Sequence, residues 1–244
     1  MSGHSKWHNI QQKKGKRDAM RGDLFTKLCR AVTVAAQQGG GEVDTNFSLR
    51  LAIEKARAGN VPKDKIDHAI KRGTGELKDE AAIQEVIYEG YGPGGVAILI
   101  ETITDNTNRT VGELKNVFSK YGGSLGGPGS VRWQFGQLGV VRLDESQKSK
   151  VQSEKSDFEL ALIDAGADDI VDSEFGMEIR CSMEKFQKVL EAGRSFGIEP
   201  ASAGSEWVAK EEIKVDENIS KKMAELFGAL EELEDVKEVY TNEA

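Results

Sequence analysis

The sequence predicts an α+β protein of three domains, an N-terminal helical bundle followed by two ferredoxin-like α+β domains, the third inserted in the second. Three observations predict it. Apolar residues recur at helical spacing between residues 23 and 73, and β-branched, alternating runs take over from residue 84. Residues 138–208 hold a complete βαββαβ series of their own, the order of the ferredoxin-like split unit. One helix and one strand then remain at the end of the chain. They cannot bury their faces alone, so they are expected to return to the sheet begun at residue 84. The expected partition is a basic flexible tail (1–22), a helical domain (23–78), a discontinuous α+β domain (79–136 and 209–244) and the insert (137–208).

The elements follow in order. Asp23 is a candidate N-cap, and Leu24, Leu28, Ala31, Val32 and Ala35 form one helix face that ends at Gly39-Gly40-Gly41. A second helix from about Asn46 buries Leu49, Ala52, Ile53 and Ala56. Pro62 opens a third, through Ile66, Ala69 and Ile70 to Gly73. Residues 84–90 and 95–103 read as strands joined by Tyr91-Gly92-Pro93-Gly94. Next comes a helix with Thr110 as N-cap and Glu113 completing a capping box, closed by Gly122-Gly123. A strand from Val131 to Phe135 is expected to turn Val131, Trp133 and Phe135 inward. Within the insert the expected elements are strand 138–143, helix 154–165, strands 169–173 and 176–181, helix 183–196 and strand 201–208. Helix 217–233 and strand 236–240 complete the chain.

The 244 residues carry 33 Lys and Arg against 41 Asp and Glu, a net charge of -8 that argues against a phosphate-rich partner. Its distribution reverses that argument. Residues 1–78 hold sixteen basic and eight acidic side chains, net +8, which leaves -16 on the rest. Lys6, Lys13, Lys14, Lys16, Arg17, Arg21, Lys27 and Arg30 face only Asp18 and Asp23 in the first thirty residues, and His4, Trp7 and His8 are interleaved with them. Cations suit phosphates, and a tryptophan among them suits stacking on a base or insertion in a groove. The plainer alternative packs Trp7 back on the first helix. Arg50, Arg57, Lys63, Lys71 and Arg72 could extend this surface as secondary contacts.

Other chemistries lack parts. Gly90 to Gly95 spell G-x-G-x-x-G, but between two strands rather than before a helix, where a dinucleotide site needs it. No phosphate-binding G-x-x-x-x-G-K-[ST] loop is present. His4 and His8 have no third metal ligand nearby, and His68 reads as a surface residue. Three His, two isolated Cys and no G-x-S-x-G leave nucleophilic triads incomplete, and the paired acids read as solvated faces. The sequence therefore points to a binding protein, not an enzyme, with no metal or cofactor. Cys29 and Cys181 suit a reducing cytoplasm. The longest apolar run, Val96 to Ile100, is far too short to span a membrane, and the polar, basic N-terminus lacks the apolar stretch of a signal peptide. The segment Asp105-Asn106-Thr107-Asn108-Arg109 is either a polar contact surface or the chemistry of a helix start.

Gly3-His4-Ser5-Lys6-Trp7, Lys13-Lys14, Arg21-Gly22, Ala52-Ile53-Glu54-Lys55-Ala56, Tyr88 to Gly95, Thr104 to Thr110, Gly129-Ser130-Val131 with Trp133 and Phe135, and Val236 to Tyr240 together resemble the YebC/TACO1 family over nearly the whole chain. The resemblance implies three domains with the third inserted in the second. It also implies a non-enzymatic regulator of gene expression: a DNA-binding transcriptional regulator, or alternatively a ribosome-bound, rRNA-binding translation factor that relieves stalling at sequences such as consecutive prolines. Gln11 and Gln12 stand where relatives often carry Lys, Arg or His. The expected nucleic-acid contacts are His4, Lys6, Trp7, Lys13, Lys14, Lys16, Arg17, Arg21, Lys27 and Arg30, with Arg109 among the secondary ones. No membrane partner is expected. A protein-interaction adaptor, its acidic domains docking a basic partner, is the reading from a different class.

Overall fold

The computed structural model describes residues 21–77, 83–151, 154–173 and 176–244. Three helices come first: α1 (Arg21–Gly39), α2 (Phe47–Ala58) and α3 (Lys63–Gly73). Helical backbone already runs from Arg21, so Asp23 lies inside α1 and is not its N-cap. Asn46 joins the first two helices with a single side chain. Its Nδ2 donates to the carbonyls of Ala35 and Gly40 at 2.8 Å each, and its Oδ1 accepts the Leu49 amide at 3.0 Å, so one residue satisfies orphan groups at the end of α1 and the start of α2. Helices α1 and α3 approach so closely that a Cβ on Gly73 would stand 2.3 Å from the Thr33 carbonyl. That position needs glycine.

Then follow β1 (Gln84–Tyr91), β2 (Ala97–Thr104), α4 (Thr107–Lys120) and the short β3 (Ser124–Leu125). The β1–β2 connection is a tight turn over Pro93–Gly95, closed by the Gly92 amide donating to Val96 O at 2.8 Å, with Gly94 at φ +72. These glycines therefore turn a hairpin. Helix α4 starts earlier than the sequence suggested: its N-cap is Asn106, whose side chain accepts the Arg109 amide, while Thr110 is buried one turn inside. The expected capping box at Thr110 and Glu113 is thereby corrected.

The second half contributes β4 (Phe135–Asp144), α5 (Glu145–Lys150), α6 (Lys155–Ala165), β5 (Ala167–Ser173), β6 (Gly176–Cys181), α7 (Phe186–Ser195), β7 (Ser202–Ala209), α8 (Glu217–Glu232) and β8 (Val236–Thr241). The chain divides into two compact units, Trp133–Ile213 and the described parts of Gln12–Arg132 with Lys214–Glu243.

In the larger unit the antiparallel sheet runs β3-β1-β2-β8, so the last strand does return to the sheet begun at residue 84. Its connectivity is its own, because the α8–β8 pair is separated from β3 by the other unit. Helix α1 is the shared wall of this unit. Val32, Ala35 and Ala36 pack with Leu49, Ile53, Ile66 and Ala69 of α2 and α3, while Val34 packs with Ile83 and Ile103 beside the sheet. A helix buried on two sides ties the three-helix segment to the sheet.

The smaller unit is a four-stranded antiparallel sheet in the order β5-β6-β4-β7, the arrangement a ferredoxin-like βαββαβ series requires. Phe158 and Leu162 of α6 and Val189 and Leu190 of α7 cover Val141, Leu143, Met177, Ile179 and Cys181 on one sheet face.

Candidate nucleic-acid interface

Of the sequence-predicted contacts, His4, Lys6, Trp7, Lys13, Lys14, Lys16 and Arg17 lie outside the described residues, and Arg21 begins the described part of α1. Lys27 and Arg30, one turn apart on α1, point into the protein. The Lys27 Nζ donates to the Glu231 carbonyl at 2.6 Å, a cation at the C-terminal end of α8 where the helix dipole favours it. Arg30 is 8% exposed. Its NH1 donates to Asp235 Oδ1 at 2.6 Å and to Glu234 O at 3.1 Å, and its NH2 to Glu234 Oε1 at 2.9 Å. Arg30 thus leaves the set of phosphate contacts, because its charge is neutralised by carboxylates some 205 residues away in sequence.

Asp235 organises this node. Beyond Arg30 it accepts hydrogen bonds from Arg109 NH2 (2.8 and 2.9 Å), Thr110 Oγ1 (2.6 Å) and Thr104 Oγ1 (3.0 Å). Burial alone would raise its pKa, but the bonds from Thr110, Arg109 and Thr104 and the Arg30 charge outweigh it and hold the carboxyl below the usual range. Arg109 also pairs with Asp105 at 3.2 Å, and Arg72 reaches Asp105 at 3.6 Å. Both arginines were expected as secondary contacts, and both face carboxylates with which a phosphate would have to compete. The segment Asp105 to Arg109 is therefore helix-start chemistry joined to a buried ion-pair network.

The exposed cations among the remaining sequence-predicted contacts sit on α2 and α3. Arg50, Arg57, Lys63 and Lys71 are exposed, as the sequence reading required, and Lys55 and Lys65 join them. These two were missed, although their i+5 and i+2 spacing from Arg50 and Lys63 on helices already assigned was a signal. The two helices carry seven Lys and Arg against three Asp and Glu. Lys55, Arg57 and Lys63 bracket the turn at residues 59–62, and the Arg50 guanidinium is oriented by the Val43 and Asp44 carbonyls. Leu49, Ile53, Ile66 and Ile70 of α2 and α3 face the core, which leaves a mainly polar outer surface with an excess of positive charge.

Two further features were invisible to sequence reasoning. Glu89, 5% exposed, accepts the backbone amides of Gly129, Val131 and Arg132 at 2.6 to 2.8 Å. Burial opposes its charge, but these three bonds prevail and lower its pKa. The end of the glycine-rich loop is thus clasped by a carboxylate, which leaves the Gly129, Val131 and Arg132 amides unavailable to an anion. Trp133, expected to point inward on a strand, stands 68% exposed on the 3-10 turn Arg132–Gln134. Lys210 holds that turn by donating to Gln134 O and Trp133 O.

Among the described residues no cluster of three or more His, Cys, Asp or Glu could hold a metal ion, and no helix is long and apolar enough to cross a membrane. Burial raises the pKa of both thiols, Cys29 and Cys181, so neither is poised as a nucleophile.

A three-helix segment walled onto one antiparallel sheet, with a ferredoxin-like unit inserted before the sheet's last helix and strand, defines a mixed α+β class with a basic helical surface at its N-terminal end. Residues 5–76 match the TACO1/YebC protein N-terminal domain, and residues 83–243 match the TACO1/YebC second and third domain. The chain belongs to the TACO1/YebC family. It is 48% identical to a "Probable transcriptional regulatory protein" of Chloroflexus aurantiacus over 243 residues, covering 99% of this chain and 95% of the relative. A protein of the same name from Thermotoga petrophila is 47% identical over 242 residues, covering 99% and 93%. The crystal structure of a conserved hypothetical protein from Aquifex aeolicus superposes with a TM-score of 0.81 at 38% identity, covering 93% of this chain and 91% of that one.

Proposed function

We propose that the chain is a non-enzymatic regulator of transcription that binds duplex DNA through its basic N-terminal third. The observation that carries this reading is the segregation of charge, +8 on residues 1–78 beside -16 on the remainder. Phosphates are attracted to the first and repelled by the second, so the molecule binds in one orientation. The names of the relatives support transcription as the process. Lys6, Lys13, Lys14, Lys16, Arg17 and Arg21 contact phosphates, Trp7 stacks or wedges with His4 beside it, and Arg50, Lys55, Arg57, Lys63, Lys65 and Lys71 extend the track along α2 and α3. Lys27 and Arg30 instead fix the helix that carries the tail. The acidic sheets confine contact to the basic end.

Crosslinking of the full chain in cells, followed by sequencing of both DNA and RNA, tests the proposal. The expected result is enrichment of promoter DNA that disappears in a Lys6→Gln/Lys13→Gln/Lys14→Gln variant. Crosslinks to ribosomal RNA with co-sedimentation on ribosomes, and no enriched DNA, would replace this reading by the translational one.

A further inference from the structure

Helix α6 is apolar on two sides. Its inner face, Phe158 and Leu162, is 1% exposed against the sheet of the smaller unit. Its outer face carries Leu160 at 57% and Ile163 at 56% exposure, three residues apart and therefore neighbours on the helix surface. Met183, 46% exposed, adds an apolar side chain from the turn that follows β6. That turn lies next to the end of α6, since the Ser182 amide donates to Asp168 and a Cβ on Gly166 would meet the Lys185 side chain. An apolar stripe on a helix ordinarily packs against a neighbour. Here one side is bare.

The charges around the bare face state what could cover it. Asp157 and Asp164 flank Leu160 at i−3 and i+4, and Glu184 adjoins Met183; all three are exposed, and among the described residues none has an ion-pair partner. Two basic side chains nearby are engaged, Lys155 with Asp172 at 2.5 Å and Glu159 at 3.7 Å and Lys185 with Asp168 at 3.9 Å, while Lys188, four residues after Glu184, is exposed. The whole unit, Trp133–Ile213, holds nine Lys and Arg against seventeen Asp and Glu. A phosphate backbone is repelled by such a rim, as is the same face of a second copy. A protein segment with apolar anchors between lysines or arginines fits both the bare side chains and the unpaired carboxylates.

From this surface we infer a protein-docking site for a basic amphipathic segment of a partner protein, with Leu160 and Ile163 as apolar anchors and Asp157, Asp164 and Glu184 as the charged rim. It is separate in residues and in charge from the surface proposed to hold nucleic acid. A regulator built this way grips nucleic acid with one surface and recruits a partner with another.

The test uses the full chain and a fluorescein-labelled leucine-lysine amphipathic helical peptide of about five turns, read by anisotropy. Leu160→Ser/Ile163→Ser is expected to weaken binding about tenfold or more, which corresponds to about 1.4 kcal/mol. Being exposed, these substitutions should leave the circular dichroism melt unchanged. Asp157→Lys/Asp164→Lys, which keeps the anchors, should reject the lysine peptide and accept a leucine-glutamate counterpart. Glu211→Gln/Glu212→Gln, outside the patch, should change neither. Three results would overturn the proposal: peptide binding indifferent to both patch variants; a wild-type dimer in sedimentation that Leu160→Ser/Ile163→Ser dissolves, which would make a second copy the occupant; or DNA binding lost in the patch variants.

Discussion

Helices α2 and α3 on one unit and α6 on the other all expose a full side to solvent, yet they are built for different neighbours. On α2 and α3 the core is met by Leu49, Ile53, Ile66 and Ile70, and on the outer side Lys and Arg outnumber Asp and Glu. On α6 leucine and isoleucine stay outside, within a rim of unpaired acids. The first surface attracts by charge alone and can slide along any phosphate chain. The second offers desolvation at two anchors and so requires a shaped apolar partner. Net charge, summed over the chain, averages these two surfaces into a number that describes neither.

The comparison can be broken at several points. The largest effect should come from replacing Lys6, Lys13, Lys14, Lys16, Arg17 and Arg21 together with Gln. Duplex affinity at about 0.1 M salt should fall roughly a thousandfold, measured by anisotropy, because six counterion-releasing contacts go at once. The leucine-lysine peptide should bind α6 as before.

Next comes the node that fixes the basic helices to the sheet. Asp235→Asn leaves the buried Arg30 with only the half-exposed Glu234 carboxylate and should lower unfolding stability by about 3 kcal/mol in urea titration. The same node sets the acid sensitivity. Because Asp235 and Glu89 have pKa values below the ordinary carboxylate value, their contribution is complete at neutral pH and is lost as pH falls through those lowered values. Stability should therefore hold from pH 7 to about 5 and decline below about 4, and Asp235→Asn should decline less steeply there. Asn46→Ala, which strands the Leu49 amide and two carbonyls, should cost about 2 kcal/mol in the same titration. The smallest effect is the sharpest control: Leu160→Ser/Ile163→Ser should shift stability by no more than about 0.5 kcal/mol. Its duplex affinity should stay within about twofold of wild type.

Much of the fold is legible in the sequence because it follows local periodicity. Strand β6 over 176–181 and the return of the last strand to the first sheet can both be read from apolar patterning and from what a lone helix and strand cannot bury. What escapes is decided by residues distant in the chain. Thr110 has the side chain of an N-cap, but it donates to Asp235, and Asn106 takes the capping role. Arg30 looks solvated beside its basic neighbours until the fold brings Asp235 to it. Trp133 alternates correctly with Val131 and Phe135, yet a 3-10 turn, which no alternation pattern reports, faces it outward. For the site, charge segregation is visible in sequence. Which cations stay exposed is not, since that depends on whether a carboxylate from another element arrives.

The central claim, phosphate binding by the basic N-terminal third, is tested most directly by the salt dependence of duplex affinity for the full chain. With Lys27 and Arg30 engaged internally, the cations of the basic tail number six, Lys6, Lys13, Lys14, Lys16, Arg17 and Arg21. A plot of log affinity against log salt should then have a slope of about −5 from the tail alone, steeper by about one for each cation of α2 and α3 that also meets a phosphate. That slope should be unchanged in Arg109→Gln, whose guanidinium is held by Asp235 and Asp105. A slope near zero, or one that Arg109→Gln reduces by about one, would contradict the account.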